Sequence, residues 1–385
     1  MRPALSAPLL GLLSAVLAAA TPPQTNVRAQ DSDRALREVV GAYAARAHSL
    51  YATAAAKARA MQRAIDALLD EPNAAHLSAA RRAWITARQA YAPTEVFRFY
   101  GGPIDDPRHG VERFVNAWPI DEAYLDGVAD RPDAGMIQDP KRYPALGPTL
   151  LTVLHQSGGE TRVATGWHAI EFLLWGQDRR DDGPGERPHT DFVVGAAPHS
   201  KRRSAYLQTV TALLVAHLEQ VRDAWDQGGG AFAADRPDVA LRQILTGMVV
   251  LSGFELSGER LAVAYETQDQ EDEHSCFSDT THQDLCGNQR GVALVWNGSD
   301  GHPGLRHYAL AQAPALAREV DTAIAAAAAR LQRIPTPFDQ AIRGADEAPG
   351  RRAVLAAIEA LEVQAMRLAD LGRRLGVTVP LRPGG

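Results

Sequence analysis

Two residues stand out for the chemistry their types and spacing allow: His168 and Glu171, in Thr165-Gly166-Trp167-His168-Ala169-Ile170-Glu171-Phe172-Leu173-Leu174-Trp175-Gly176. Three positions apart on a helix, they share one face about one turn apart. An imidazole and a carboxylate so placed can ligate a single metal ion. Around them lie Trp167, Ile170, Phe172, Leu173, Leu174 and Trp175, so both polar groups are expected to be at least partly buried. A buried carboxylate is unfavourable unless it is ion-paired, hydrogen-bonded or metal-bound. Gly166 leaves room for a second backbone or a ligand to approach. The competing reading is a polar pair that fixes helix packing. Spacing alone does not choose between them. His109 and Glu112 repeat it, and Glu186 with His189 and Glu271 with His274 reverse it. Nor is this the HExxH arrangement of zinc peptidases, because Ala169 stands where the general-base glutamate would be.

Further candidates are spread along the chain. Glu95 ends an amphipathic helix with Arg98 on the next turn, and Glu259 and Arg260 sit among Leu256, Leu261 and Val263. Glu95 and Glu259 are the carboxylates expected to join His168 and Glu171 in a metal site. Their alternatives are a surface salt bridge for Glu95 and a buried ion pair for Glu259 with Arg260. Asp121 follows Trp118-Pro119, where a helix-capping role competes with a site role. Ser275, Asp279 and His282 decorate a polar loop that also reads as simple solvated surface. The chain's two cysteines, Cys276 and Cys286, lie in that loop. In an oxidising compartment one local disulfide is the economical expectation, against two free thiols.

The elements that must position these groups read as helices. Residues 33–69, 74–91, 162–175, 200–227, 239–265, 305–334 and 351–375 carry apolar residues at helical spacing between breakers. Residues 103–148 are proline-rich and irregular, 179–198 read as a junction, and 266–290 as an acidic loop. No strand alternation persists. The expected class is all-α, with two helical-bundle domains: residues 31–198 carrying the His/Glu pair, and 199–380 carrying the cysteine loop. TEVFRFYGGPIDD and SGFELSGERLAVAYETQDQED echo one another weakly, which suggests a duplicated four-helix bundle.

Residues 1–29 read as a signal peptide and flexible N-terminus. Arg2 is followed by an apolar run at 9–20 that ends in Ala18-Ala19-Ala20, small residues suited to signal peptidase. No cysteine follows that run to take a lipid anchor, so a periplasmic location is expected. No other segment reads as long and apolar enough to span a bilayer. With 40 basic and 46 acidic side chains, the net charge of −6 gives no steering toward nucleic acid. Hydrophobic residues at 45% and charged residues at 22% exclude wholesale disorder.

The stretch GWHAIEFLLWGQD resembles the GxHxxE signature of the imelysin-like proteins, peptidase family M75. The likeness extends to TEVFRFYGGPIDD, to NAWPIDEAYLDG and to FELSGERLAVAYETQDQEDEHSCFSDTTHQDL, which resembles the iron-regulated branch. It implies an exported, all-helical protein associated with bacterial iron uptake. His168 and Glu171 would be its functional pair and Gly166 would frame them. The ligand expected is iron, or zinc or another divalent transition metal, free or within an iron-containing ligand, with a membrane transport protein as a further partner. A metal-dependent peptidase is the second reading, and a helical adaptor with a structural motif the third.

Overall fold

A computed structural model of the chain describes residues 1, 24–180, 182–227, 232, 234–299 and 301–383. The expected signal segment at 2–23 lies outside the described residues. The described chain is all-α, apart from a two-residue antiparallel pair, Gly298–Ser299 with His302–Pro303.

Helix α1 (Gln24–Asp70) is 47 residues long and stops at the predicted Glu71-Pro72-Asn73 breaker. Helix α2 (Ala74–Tyr91) begins where Asn73 accepts a hydrogen bond from the His76 N–H, a side-chain N-cap. Its buried stripe is Leu77, Ala80, Trp84, Ala87, Arg88 and Tyr91. A 3₁₀ turn, Ala92–Phe97, carries the chain on with all six residues buried. A Cβ on Gly247 would lie 2.2 Å from the Val96 carbonyl, so a glycine there lets a later helix press against this turn.

The irregular region contains the short helix α3 (Glu112–Asn116). The signature helix, α4 (Trp167–Trp175), is shorter than the periodicity predicts. Gly166 at φ +96 cannot continue a right-handed helix, so residues 162–165 arrive in non-helical conformation. Helix α5 (Ser200–Asp226) packs along α1. Helix α6 (Pro237–Val250) continues through a π-helical stretch, Leu251–Ala262, into α7 (Val263–Thr267).

The continuous helix Pro237–Thr267 is long and apolar enough, by length and composition, to cross a membrane, a property the sequence reading missed. Yet 67% of its most apolar window is buried inside the chain, as in the core helix of a globular fold. The predicted acidic loop is also shorter than expected. Helix α8 (Thr281–Asn297) takes over its second half, running apolar residues Leu285, Val292 and Val295 into the core. Pro314 splits the predicted helix at 305–334 into Leu305–Gln312 and α9 (Pro314–Leu331), because proline supplies no N–H to continue the ladder. Helices α10 (Phe338–Ile342) and α11 (Pro349–Arg374) complete the chain, with α11 packed on α9, the π-stretch and α6.

Candidate functional site

All nine residues of α4 are buried. Trp84 of α2 donates its indole N–H to the Trp167 carbonyl at 3.1 Å, which fixes the start of the helix. Gly166 frames it for a steric reason: a Cβ there would lie 2.5 Å from the Val115 carbonyl of α3. Inside this packing, His168 Nδ1 and Glu171 Oε2 are 2.9 Å apart. The other carboxyl oxygen, Oε1, accepts hydrogen bonds from the Ser278 N–H at 3.0 Å and the Ser278 hydroxyl at 2.6 Å. The signature pair is therefore bonded within itself, and the cysteine loop braces it from behind.

The His168 ring faces Trp118 at 4.7 Å and His274 at 4.8 Å, centroid to centroid. His274 repeats the arrangement, with its Nδ1 3.0 Å from Asp284 Oδ2. Asp284 also accepts the Ser275 hydroxyl at 2.8 Å and a forked contact from Arg88, at 2.9 Å to Oδ2 and 3.1 Å to Oδ1. Two imidazoles thus meet edge-on, each with a carboxyl at Nδ1, and at His274 the Arg88 guanidinium lies 3.2 Å from the same nitrogen. This is the geometry by which outer carboxylates orient metal-binding histidines. Nε2 of His168 is buried without a hydrogen-bond partner.

Burial, then the charge of Arg88 and the neighbouring His274, hold the His168 imidazole well below its ordinary pKa. Burial, then Arg260 and Arg88, do the same to His274. Both shifts favour the neutral ring, the state in which imidazole binds metal. Burial pushes the Glu171 carboxyl up to about 8, against the opposing pull of the Ser278 hydrogen bond.

Arg88 also bonds the Asn116 side chain, which passes the network to Glu95 at 3.2 Å. Glu95 is fully buried among Arg260 at 2.5 Å, Arg98 at 2.8 Å and Asn288 at 3.1 Å. Burial alone would raise its carboxyl, but Arg260, Arg98 and Arg88 together outweigh that and hold it well below the usual range. Glu95 and Arg98 are thus an interior cluster rather than a surface salt bridge. Both oxygens of Glu95 are already taken.

Glu259 departs from expectation as well. It is exposed, and Glu255, one turn earlier, pairs with Arg260 at 2.7 Å. The five-residue repeat of the π-helical stretch puts Glu255, not Glu259, on the Arg260 face. Glu259 instead lines a cleft of about 350 Å³ together with Trp118, His274, Arg113, Glu255 and Arg260. Trp118 and His274 are cleft walls that also pack edge-on or tilted against the His168 ring, so they stand between His168 and the cleft.

Asp121 is remote from this assembly. It occupies the N-cap position of the short helix Glu122–Leu125 without a side-chain capping bond, and lies 3.8 Å from Arg131 on the surface. The expected disulfide is absent. Cys276 is buried in the loop, near the carboxyls of Glu271, Glu171 and Glu273, with its thiol pushed up by burial. Cys286 sits on α8, its sulfur 3.8 Å from His282 Nε2, facing a different groove. Helix formation through 281–290 carries Cys286 away from the loop. His282 contacts the Leu331 carbonyl, and Asp279 takes a left-handed conformation at φ +54.

Four residues escaped the sequence reading as site members: Arg88, His274, Ser278 and Asp284. Arg88 left a signal, a charged residue on the apolar stripe Leu77–Trp84–Tyr91. The other three come from a loop and a helix start whose links to His168, Glu171 and Arg88 span about a hundred positions or more.

The profile of the imelysin family, peptidase family M75, matches residues 47–368. This chain belongs to the imelysin family. Iron-regulated protein A of Synechococcus elongatus is 27% identical over 299 residues, 75% of this chain and 73% of that protein. A crystal structure of a Parabacteroides distasonis protein, provisionally assigned as an iron-regulated protein A precursor, has a TM-score of 0.67 at 15% identity. That likeness covers 93% of this chain and 97% of the other, and it establishes the shared all-α fold.

Proposed function

We propose that this imelysin-family chain is an exported protein of bacterial iron acquisition that binds iron at His168, with Glu171 setting the ring. The observation that carries the reading is the unpartnered Nε2 of His168. Whichever tautomer the ring adopts, a buried ring nitrogen without a partner is unfavourable. A neutral imidazole held at Nδ1 by a carboxyl is the arrangement that metal ligation would use. Nitrogen and oxygen donors suit iron, zinc and manganese rather than thiolate-seeking ions.

Among the described residues, no three His, Cys, Asp or Glu side chains are grouped to hold an ion unaided. The donor set therefore fits a metal that brings ligands of its own, an iron chelate seated in the Glu259-lined cleft. Such a ligand reaches His168 when Trp118 and His274 give way. The names of the two relatives support the iron-regulated and exported parts of the reading. A zinc peptidase needs three protein ligands and a base, and the two imidazoles supply fewer. The peptidase reading rests on the family's name alone.

The experiment is the metal content and iron affinity of purified protein, wild type beside His168→Ala and Glu171→Gln. Iron retained by the wild type and lost by a folded His168→Ala supports the reading. Equal binding by both, or none by the wild type at micromolar iron, overturns it.

A further inference from the structure

His274 differs from His168 in where its free nitrogen lies. Its ring is 4% exposed and forms part of the wall of the cleft of about 350 Å³. Nδ1 faces the Asp284 carboxylate at 3.0 Å and the Arg88 guanidinium at 3.2 Å. The shorter contact, to a charged acceptor, puts the ring hydrogen on Nδ1 and the lone pair on Nε2. Asp284 is itself held by Arg88 at 2.9 Å and by the Ser275 hydroxyl at 2.8 Å, which fixes the ring in that setting. No described residue bonds Nε2 of His274, yet unlike Nε2 of His168 it is not sealed in. The cleft is the space it opens into.

The cleft also has a sign. Arg98 is spent on Glu95 and Glu112, each at 2.8 Å, and Arg260 on Glu95 at 2.5 Å and Glu255 at 2.7 Å. Three carboxylates thus share two guanidiniums, and the pairs leave negative charge over. Glu259 and Asp272 line the same cleft without an ion pair among the described residues. The one remaining cation of the lining is Arg113, whose guanidinium lies over the Phe114 ring at 4.5 Å. The balance at the cleft is negative.

We propose that this cleft binds an organic cation, a ligand with a protonated aliphatic amine whose N–H donates to Nε2 of His274 while Glu259 and Asp272 meet its charge. An anion finds both Arg98 and Arg260 already committed. A bare metal ion finds no three converging side chains among the described residues. An ammonium group needs neither, because it brings its own hydrogens to a fixed acceptor. The rings of Trp118 and Phe254, also in the lining, suit the methylenes and the charge of such a ligand. The inference concerns the cleft alone and holds whether or not iron reaches His168. An iron chelate seated there would be gripped by an amine on its chelator.

The test is calorimetric titration of the full chain, free of metal, with spermidine and with a linear dicarboxylate of similar length. The expected result is one spermidine per chain and no binding of the dicarboxylate. Affinity for spermidine falls roughly tenfold in Glu259→Lys, an exposed position where the change reverses one charge without touching the core. It falls several-fold in His274→Gln, with a melt to show that the variant is folded. Two further titrants are a ferric trihydroxamate chelate that ends in a primary amine and the same chelate with that amine acetylated. Tighter binding of the free-amine chelate than of spermidine places the ammonium on a chelator, and the reverse order places it on a free polyamine. No binding of any of these amines, several weak sites per chain, equal binding of the dicarboxylate, or undiminished binding by either folded variant would each overturn the inference.

Discussion

Glu95 and Glu171 are both fully buried glutamates, yet their surroundings oppose one another. Glu95 is gripped by two guanidiniums and two asparagine amides, so its negative charge is met on every side. Glu171 has a serine hydroxyl, one backbone N–H and a neutral imidazole, and its carboxyl is pushed up to about 8. The difference separates architecture from chemistry. A buried charge that is already neutralised holds helices in place, whereas a buried carboxyl without a cation is pushed toward its neutral form.

The largest test of that contrast is Arg260→Ala, which strips Glu95 of its shortest partner. Breaking a buried pair from one side costs about 3–5 kcal/mol, read as a fall in the urea midpoint. A loss under about 1 kcal/mol would show that Glu95 is no better braced than Glu171. Next comes Gly166→Ala, which strikes the His168 side alone. A left-handed φ and a Cβ driven into the Val115 carbonyl should cost about 2–3 kcal/mol, and the iron affinity should fall with it.

Acid titration gives a smaller effect. Burial lowers the His155 pKa to about 4, from an ordinary value near 6.5. Between those values the unfolded chain binds the proton and the folded chain does not. Stability therefore falls as pH drops through that window, on the order of 1 kcal/mol per pH unit. His155→Gln should flatten the slope in pH-dependent melts. The smallest effect belongs to Glu171→Gln. Replacing a carboxyl that favours its neutral form by a neutral amide should alter stability by less than about 1 kcal/mol, while iron binding drops. Should Glu171→Gln unfold the protein as Arg260→Ala does, the contrast fails.

Much of the fold was legible, because breakers and helical periodicity are local. Helix α2 begins at Ala74, just after the expected Glu71-Pro72-Asn73 breaker, and the helices at 200–226 and 349–374 fall within two residues of their predicted ends. Pro314 and Gly166 were readable as breakers but were passed over. The site was legible only as far as its own helix. That His168 and Glu171 are buried follows from their apolar neighbours. That Glu171 answers to Ser278, and Glu95 to Arg260, depends on contacts across 107 and 165 positions, which no local pattern encodes. Glu259 was misplaced for a subtler reason. Its apolar neighbours and adjacent Arg260 suggested burial, whereas the five-residue π-turn sets Glu255 against Arg260 and leaves Glu259 exposed.

The first helix carries a mechanical consequence. At 47 residues it is a rod of about 70 Å. It packs against α2 and α5 and also touches α6 and the Leu305–Gln312 helix. Helices from distant parts of the chain are bolted to a single axle, and a jaw-like separation of them would have to bend it. For the binding proposed at His168, access then falls to small parts: the Trp118 ring, the His274 ring and the two separate loops that carry them. On that view the proposed site would open as a shutter in a rigid frame, not as a clamshell.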